Sequence, residues 1–536
     1  MGESLGRLGA RFEEVGYTVA GVREMLGPVA GGALARDEIV PALRATADGS
    51  PLAELIRLFW LQAPVAASRL PGFAGDLVDA GLATLDSDEL YPAFHIEPVE
   101  SVAGSAAGPA AGSLAGSAAG AVAGSGAGSV AGAGAGSAGG AGHLGYVVSD
   151  LKVRPGEGRL PRPDHVVGTG GAATSLARLV VHRPVDNVLD LGTGCGVQVL
   201  HLADPAIRAK PARITATDVN RRALELAEKS FALSRLDGVE LVEGSLLEPV
   251  RDRRFDLIVS NPPFVVGPPE SGFTYRESGM HGDEFCRRLV TEAPALLTEG
   301  GTVQLLANWL HVQGEPWEER VGAWVEASGC DAWVVQRDVQ DPGEYAELWL
   351  RDSAEAGTPE HGRRYKEWLD YFEDRRVEAV GFGWITLRSG GNDRPAVRIE
   401  ELRHAVDQPV GAYAGSVLDG LKAAREFSTA CGRADGLEQI RLRSAPGLVQ
   451  EQIGSPGEEH PERILLRQAN RLRRVAGVGT AEAGLAGVCD GSLPLAPLLE
   501  AIAQLMDMDG DQIRAHAAAV LPELIADGFF EVASLG

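Results

Sequence analysis

The chain has 536 residues, a formal net charge of -25 and a pI near 4.9. This length calls for two to four domains, and 45% hydrophobic with 23% charged residues is enough to bury their cores. The acidic excess excludes a surface that grips nucleic acid by bulk attraction, though not a local basic patch. No apolar run approaches the roughly 20 residues that span a bilayer, and Met1 to Val19 lacks the apolar core of a secretory signal. The five cysteines form no C-x-x-C pair and read as reduced thiols of a cytoplasmic protein, with no metal site.

Residues 1–99 read as a small helical unit. Apolar residues fall at helical spacing in Ile39-Val40-Leu43, Leu52-Leu55-Ile56-Leu58-Phe59 and Phe73-Leu77-Val78. Two short strands, Leu82 to Leu85 and Leu90 to Phe94, flank Asp86-Ser87-Asp88. Helices followed by a hairpin suggest a winged-helix-like module. Within residues 100–143, the stretch from Ser101 to Gly142 is almost wholly Ala, Gly and Ser, with one Pro, one Leu and a few Val, too little to build a core. This tract reads as a flexible linker that divides the protein.

Residues 144–390 alternate strands and helices. Val185 to Asp190, Ala212 to Asp218, Val239 to Val242, Phe255 to Ser260 and Thr302 to Ala307 read as buried parallel strands. Helices are expected over Gly196 to Ala203, Arg221 to Leu236 and Asp283 to Leu297, the last closed by Gly300-Gly301. Asp331 to Arg337 and Val377 to Leu387 complete a seven-stranded, mostly parallel, doubly wound α/β sheet. Ligands are expected at the carboxyl ends of its strands. Residues 391–536 form a second helical, winged-helix-like module, because Leu521 to Phe530 echoes Asp76 to Leu82. Few Lys or Arg fall on the expected helices of either module.

Two stretches carry chemistry. In Asp190-Leu191-Gly192-Thr193-Gly194-Cys195-Gly196 a strand turns through three glycines into a helix. Such a turn lets a ligand approach the backbone and meet unpaired helix N–H groups. The G-x-G-x-G spacing departs from the G-x-G-x-x-G of dinucleotide sites. Asp218, at the tip of the next strand and followed by Val219-Asn220, is placed to accept hydrogen bonds from ribose hydroxyls, or else to cap the helix that follows.

The second stretch is sharper. Phe255 to Ser260 runs directly into Asn261-Pro262-Pro263-Phe264. Two prolines stop the sheet and leave carbonyls without ladder partners. The Asn261 amide oxygen and the Pro262 carbonyl can accept both hydrogens of an NH2 group, and Phe264 offers a flat face to a planar base or amide. The polar loop beyond it holds Tyr275 and Arg276, which can orient an acceptor or pin the loop. Trp309 and His311, just past the fifth strand, read as packing residues.

The run from Gly145 to about Arg388 resembles the class I S-adenosylmethionine-dependent methyltransferases that carry N-P-P-[YF], especially the small-domain group. That group includes release-factor glutamine N5-methyltransferases and ribosomal-RNA guanine N2-methyltransferases. The resemblance implies S-adenosyl-L-methionine as cofactor, held by Asp190, Gly192, Thr193, Gly194, Cys195, Gly196, Asp218, Val219, Asn220, Ser245, Leu246 and Asn261. Ser245 stands where many members have Asp. Upstream, Leu160-Pro161-Arg162-Pro163-Asp164 resembles the proline-rich stretch of the glutamine enzymes, and the resemblance implies that Gly168 and Thr169 close over the methionine end. The implied acceptor is a release-factor-like protein or a base in ribosomal RNA. The flanks resemble uncharacterised domains attached to actinobacterial methyltransferases of this kind. The alternative is a non-catalytic regulator that senses the cofactor and binds nucleic acid or protein through its winged-helix-like modules.

Overall fold

A computed structural model describes all residues except 1, 37, 105–141, 154–160, 269–279, 353–358, 391–394, 434–435, 457–460 and 536. Helix α1 (Gly2–Glu14) buries Leu5, Leu8 and Phe12 on one face, at the i, i+3, i+7 spacing of an amphipathic helix. Further helices lead to a small antiparallel sheet of β1 (Val65–Ala66), β2 (Ala83–Asp86) and β3 (Glu89–Pro92), in the order β1-β3-β2. Helix α2 (Ala74–Asp79) precedes the β2–β3 hairpin, which turns at Ser87 with φ +59°.

Strand β4 (His95–Glu100) then pairs antiparallel with β5 (His143–Ser149). The two ends of the Ala/Gly/Ser tract are therefore neighbours: the Ser101 N–H donates to the Gly142 carbonyl at 2.8 Å. The tract leaves and re-enters one strand pair, where the sequence suggested a divider between separate bodies. Tyr146 of β5 packs edge-on against Phe12 and donates to the Tyr17 carbonyl.

The central sheet holds eight strands among the described residues. They are β6 (Asn187–Leu191), β7 (Arg213–Asp218), β8 (Val239–Glu243), β9 (Phe255–Ser260), β10 (Leu297–Val312), β11 (Asp331–Gln340), β12 (Val377–Arg388) and β13 (Val397–Glu401). Their order is β13-β11-β12-β10-β9-β6-β7-β8. The strands from β6 to β10 pair in parallel, and β12 inserts antiparallel between β10 and β11. The expected seven strands thus gain an eighth: β13 pairs in parallel with β11, Ala332 opposite Val397. Val397 and Ile399 alternate with Arg398 and Glu400 before a second Glu, the pattern of a half-covered edge rather than a buried run. The expected boundary at residue 390 falls inside this sheet. Gly300 and Gly301 lie within β10, at an irregularity of its pairing with β9. Trp309 and His311 also belong to β10, and both bond Gln336.

Helices cover both faces. They include α3 (Gly171–Leu179), α4 (Val197–Leu202) and α5 (Arg221–Leu233), with α6 (Pro342–Asp352) and α7 (His361–Asp374) between β11 and β12. One apolar core runs from Leu5 through Tyr146 to Leu233, so residues 1–99 share a core with α5. At Gly9 the approach is close enough that a Cβ would lie 1.9 Å from the Leu233 carbonyl oxygen. Beyond the sheet, α8 (Gly411–Cys431) packs on α9 (Gly510–Ala526). The strand after α9, Phe530–Ser534, pairs antiparallel with Arg441–Ser444 rather than in a hairpin of its own. Arg474 bridges Glu400 of β13 and Asp527, joining sheet to C-terminal unit. Among the described residues, no helix is long and apolar enough to cross a membrane.

Candidate active site

A cavity of about 430 Å³ opens at the carboxyl ends of β6, β7 and β9, beside the carboxyl end of β8. Parallel strands deliver their tips to one edge, which is where an open α/β sheet binds ligands. The tip residues follow directly: Leu191 to Cys195 after β6, Thr217 to Asn220 at β7, Gly244 to Leu246 after β8, and Ser260 to Val265 after β9 all line the cavity.

The glycine turn is built around positive φ. Gly192 and Gly194 have φ of +74° and +56°, and a Cβ on either would meet nothing within 4 Å. Their glycine requirement is one of backbone conformation, and the space beside them is free for a ligand. Asp218 braces the turn: Gly194 N–H donates to its Oδ2 at 2.9 Å and Asn220 N–H to its Oδ1 at 2.8 Å. A carboxylate has about four acceptor sites, so these bonds do not exhaust Asp218, which lines the cavity. Asp218 is not the helix cap. Asn220 caps α5, accepting from Arg222 N–H. Burial raises the Asp218 carboxyl above its ordinary range, against the lowering by these N–H groups.

Asp190 lies beneath the turn rather than in the cavity wall. It is buried, accepts from the Thr193 hydroxyl at 2.7 Å, and burial pushes its carboxyl up to about 7. Its Oδ1 accepts no hydrogen bond among the described residues. Gly196 also lies outside the wall. It opens α4 with φ +88°, and a Cβ there would strike the Phe231 ring at 2.5 Å. Cys195 lines the cavity and its thiol donates to the Val167 carbonyl.

At the other side of the cavity, sheet pairing of β9 ends at Ser260, opposite Leu191 and Leu305. Asn261, Pro262, Pro263 and Phe264 follow as non-repetitive chain, and all four line the cavity. The Asn261 Oδ1 is buried and accepts no hydrogen bond among the described residues. An orphaned buried acceptor costs about 1–3 kcal/mol, so a donor from a ligand has a place there. Phe264 meets Trp349 edge to face, with ring centroids 6.3 Å apart.

The segment from His165 to Gly170 forms another wall, through His165, Val166, Val167, Gly168 and Gly170. It is tied down from beneath. Asp150 N–H donates to the Val166 carbonyl, and Val166 N–H donates back to Asp150 Oδ2. Asn220 Nδ2 reaches the Asp164 carbonyl. Thr169 points away from the cavity, and its N–H donates to Glu97 Oε1 at 2.5 Å.

The structure thus gathers Gly168, Gly192, Thr193, Gly194, Cys195, Asp218, Val219, Asn220, Ser245, Leu246 and Asn261 to Phe264 around one space. Thr169, Asp190 and Gly196 support that space from behind. Tyr275 and Arg276 lie outside the described residues. Sequence reasoning missed Trp349 and Phe285, which also line the cavity. Trp349 comes from α6, and no motif there announces it. That helix pair also holds the chain after Phe264: Val266 N–H donates to the Tyr345 hydroxyl, and Gly282 N–H to the Tyr371 hydroxyl.

The fold is a doubly wound α/β sheet with a cavity at the carboxyl ends of its parallel strands. Residues 171–321 match the model of the family described as the methyltransferase small domain, and residues 14–93 match a domain of unknown function. The chain is 31% identical to the ribosomal protein uL3 glutamine methyltransferase of Bradyrhizobium diazoefficiens, over 33% of this chain and 58% of that protein. It is 38% identical to the release factor glutamine methyltransferase of Deinococcus radiodurans, over 27% of this chain and 52% of that protein. It is 30% identical to the tRNA1(Val) (adenine(37)-N6)-methyltransferase of Vibrio campbellii, over 30% of this chain and 64% of that protein. The chain spans about half to two-thirds of the length of these relatives.

Proposed function

We propose that the chain is a cytoplasmic S-adenosylmethionine-dependent N-methyltransferase acting on a planar nitrogen. The acceptor is the side-chain amide of a protein glutamine or the exocyclic amine of a base in RNA, the acceptors for which its relatives are named. One observation carries the reading. Asn261, whose Oδ1 is buried and unsatisfied among the described residues, belongs to the lining of the same cavity as the open Gly192–Gly194 turn and Asp218. A protein that only sensed a cofactor would gain nothing from an orphaned acceptor beside Phe264.

The residues fit the cofactor. Asp218 keeps acceptor sites for ribose hydroxyls, the glycine turn leaves room for close approach, and Ser245 and Leu246 flank the far end of the space. When bound, the cofactor supplies an electrophilic sulfonium methyl group. The protein's part is then positioning and charge stabilisation. An amide or aryl amine nitrogen is a poor nucleophile because its lone pair is delocalised. Asn261 Oδ1 accepts an N–H of the acceptor and favours the positive charge that develops on the nitrogen. Phe264 and Trp349 hold the planar group in line. No step needs a general base in the cavity, because the product nitrogen loses its proton readily once methylated.

The test is a calorimetric titration with S-adenosylmethionine, followed by transfer of a tritiated methyl group to release factors, ribosomes and total RNA. Binding plus transfer to one of these supports the reading. Tight binding without transfer to any of them favours the sensor.

A further inference from the structure

The N-terminal unit places a buried carboxylate, Glu97, directly against the candidate cofactor wall. Its strand, β4, begins just past the stretch of unknown function. Glu97 is 5% exposed, faces the underside of the Gly168–Thr169 segment, and accepts the Thr169 N–H at 2.5 Å. Gly168 is packed onto the same group: a Cβ there would lie 2.8 Å from Glu97 Oε1 and 2.8 Å from Ser149 Oγ. The missing side chain of Gly168 therefore points down at β4 and β5, while its backbone lines the cavity. His95 Nε2 stands 3.7 Å from the other carboxylate oxygen. Burial alone pushes the Glu97 carboxyl up, but His95, Lys152 and the Thr169 N–H together bring it below its ordinary value. Strand β4 is itself anchored, because the Tyr17 hydroxyl donates to the Ile96 carbonyl at 2.6 Å.

A buried carboxylate is costly unless paired and hydrogen-bonded. Here the carboxylate faces His95 and Lys152 and directs Oε1 at a backbone N–H of the cavity wall, which fixes that loop. We propose that Glu97 is a positioning residue for the cofactor: it holds Gly168 and Thr169 in the conformation that closes the wall of the cofactor site. The N-terminal unit then completes that site, and cofactor affinity depends on it. This rests on the cofactor reading above.

Calorimetry of the full chain with S-adenosylhomocysteine separates the two. Wild-type protein that fails to bind it overturns the cofactor reading itself. Given wild-type binding, Glu97→Ala should weaken affinity by about ten-fold or more, since it leaves a buried N–H unpaired. Glu97→Gln should stay within about three-fold of wild type, because its amide oxygen accepts the same N–H. If Glu97→Ala lowers the melting temperature while the folded protein binds as wild type does, the carboxylate is merely structural and the proposal fails. A Gln variant that falls as far as Ala also overturns it. Should Glu97→Ala not fold, Gly168→Ala strains the same contact from the loop side, with its Cβ directed away from the cavity. It should weaken binding similarly, and unchanged affinity would sink the idea.

Discussion

Ser101 and Gly142 are joined backbone to backbone at 2.8 Å, although residues 102–141 lie between them. Glu100 and His143 continue the pairing as partners of β4 and β5. The Ala/Gly/Ser tract therefore closes a loop on one strand pair, and its length carries a closure cost with no spacing role between its ends.

Excision of residues 105–140 should then leave the fold intact. Each halving of a loop recovers about 0.6 kcal/mol, so cutting the connection to a few residues should stabilise by about 1–2 kcal/mol. Cofactor binding should not change. A thermal melt of the shortened chain checks this, and a large loss of stability would show that the tract packs against something.

Asp218 has two tasks that can be separated. It braces Gly194 and Asn220, and it faces the cavity. Asp218→Ala should weaken S-adenosylmethionine by at least about ten-fold, a difference of about 1.4 kcal/mol. Asp218→Asn should fall between the two, since one oxygen acceptor remains. Unchanged affinity in a folded Asp218→Ala variant removes the ribose assignment.

Asn261 and Phe264 line one wall but should fail differently. In the proposed mechanism Asn261 accepts a hydrogen bond that strengthens as the nitrogen gains charge, so Asn261→Ala should lower turnover by about a hundred-fold or more. Cofactor affinity should change far less. Phe264→Ala should mainly raise the acceptor's Michaelis constant, because stacking holds ground state and transition state alike. Trp349→Ala should behave like Phe264→Ala, since the two rings meet at one edge of the cavity. Steady-state kinetics on whichever acceptor the transfer screen finds would decide. Near-normal turnover in Asn261→Ala means that the clamp mechanism is wrong.

Asp190 predicts a pH dependence of stability. Its folded pKa, raised to about 7 by burial, lies above the unfolded value near 4. Between these values the native state binds more protons than the unfolded one, so stability falls as pH rises. The contribution is fully present below about pH 4 and lost once the pH passes about 7. Asp190→Asn stays neutral and can still accept from Thr193. It should therefore be more stable than wild type at pH 8, by about 2 kcal/mol or more, with little difference at pH 4. Urea unfolding of the cofactor-free chain at both pH values tests this; equal differences at the two would place the titration elsewhere.

Local sequence determined much of this protein. The glycine turn after β6, the acid at the tip of β7 and the prolines after β9 each write their geometry into a few adjacent residues. Positive φ, a missing N–H or a strand end needs no distant partner to be legible. The inner parallel strands were legible for a similar reason, since burial on both faces demands apolar runs, whereas β8, expected to be buried, lies at the sheet edge with no buried residue. The edge strand β13 was not legible, because half its side chains face away from the core and its five residues look like polar chain. Tertiary structure alone decided the rest. Thr169 and Asp190 turned out to support the cavity from behind, since which way a side chain faces depends on what packs under it. Glu97 and Trp349 came to the site from outside the matched region, through strand pairing and helix packing that no local pattern encodes. The return of the Ala/Gly/Ser tract to its own starting strand was equally hidden, because β4 and β5 find each other through the core that Phe12, Tyr17 and Tyr146 build together.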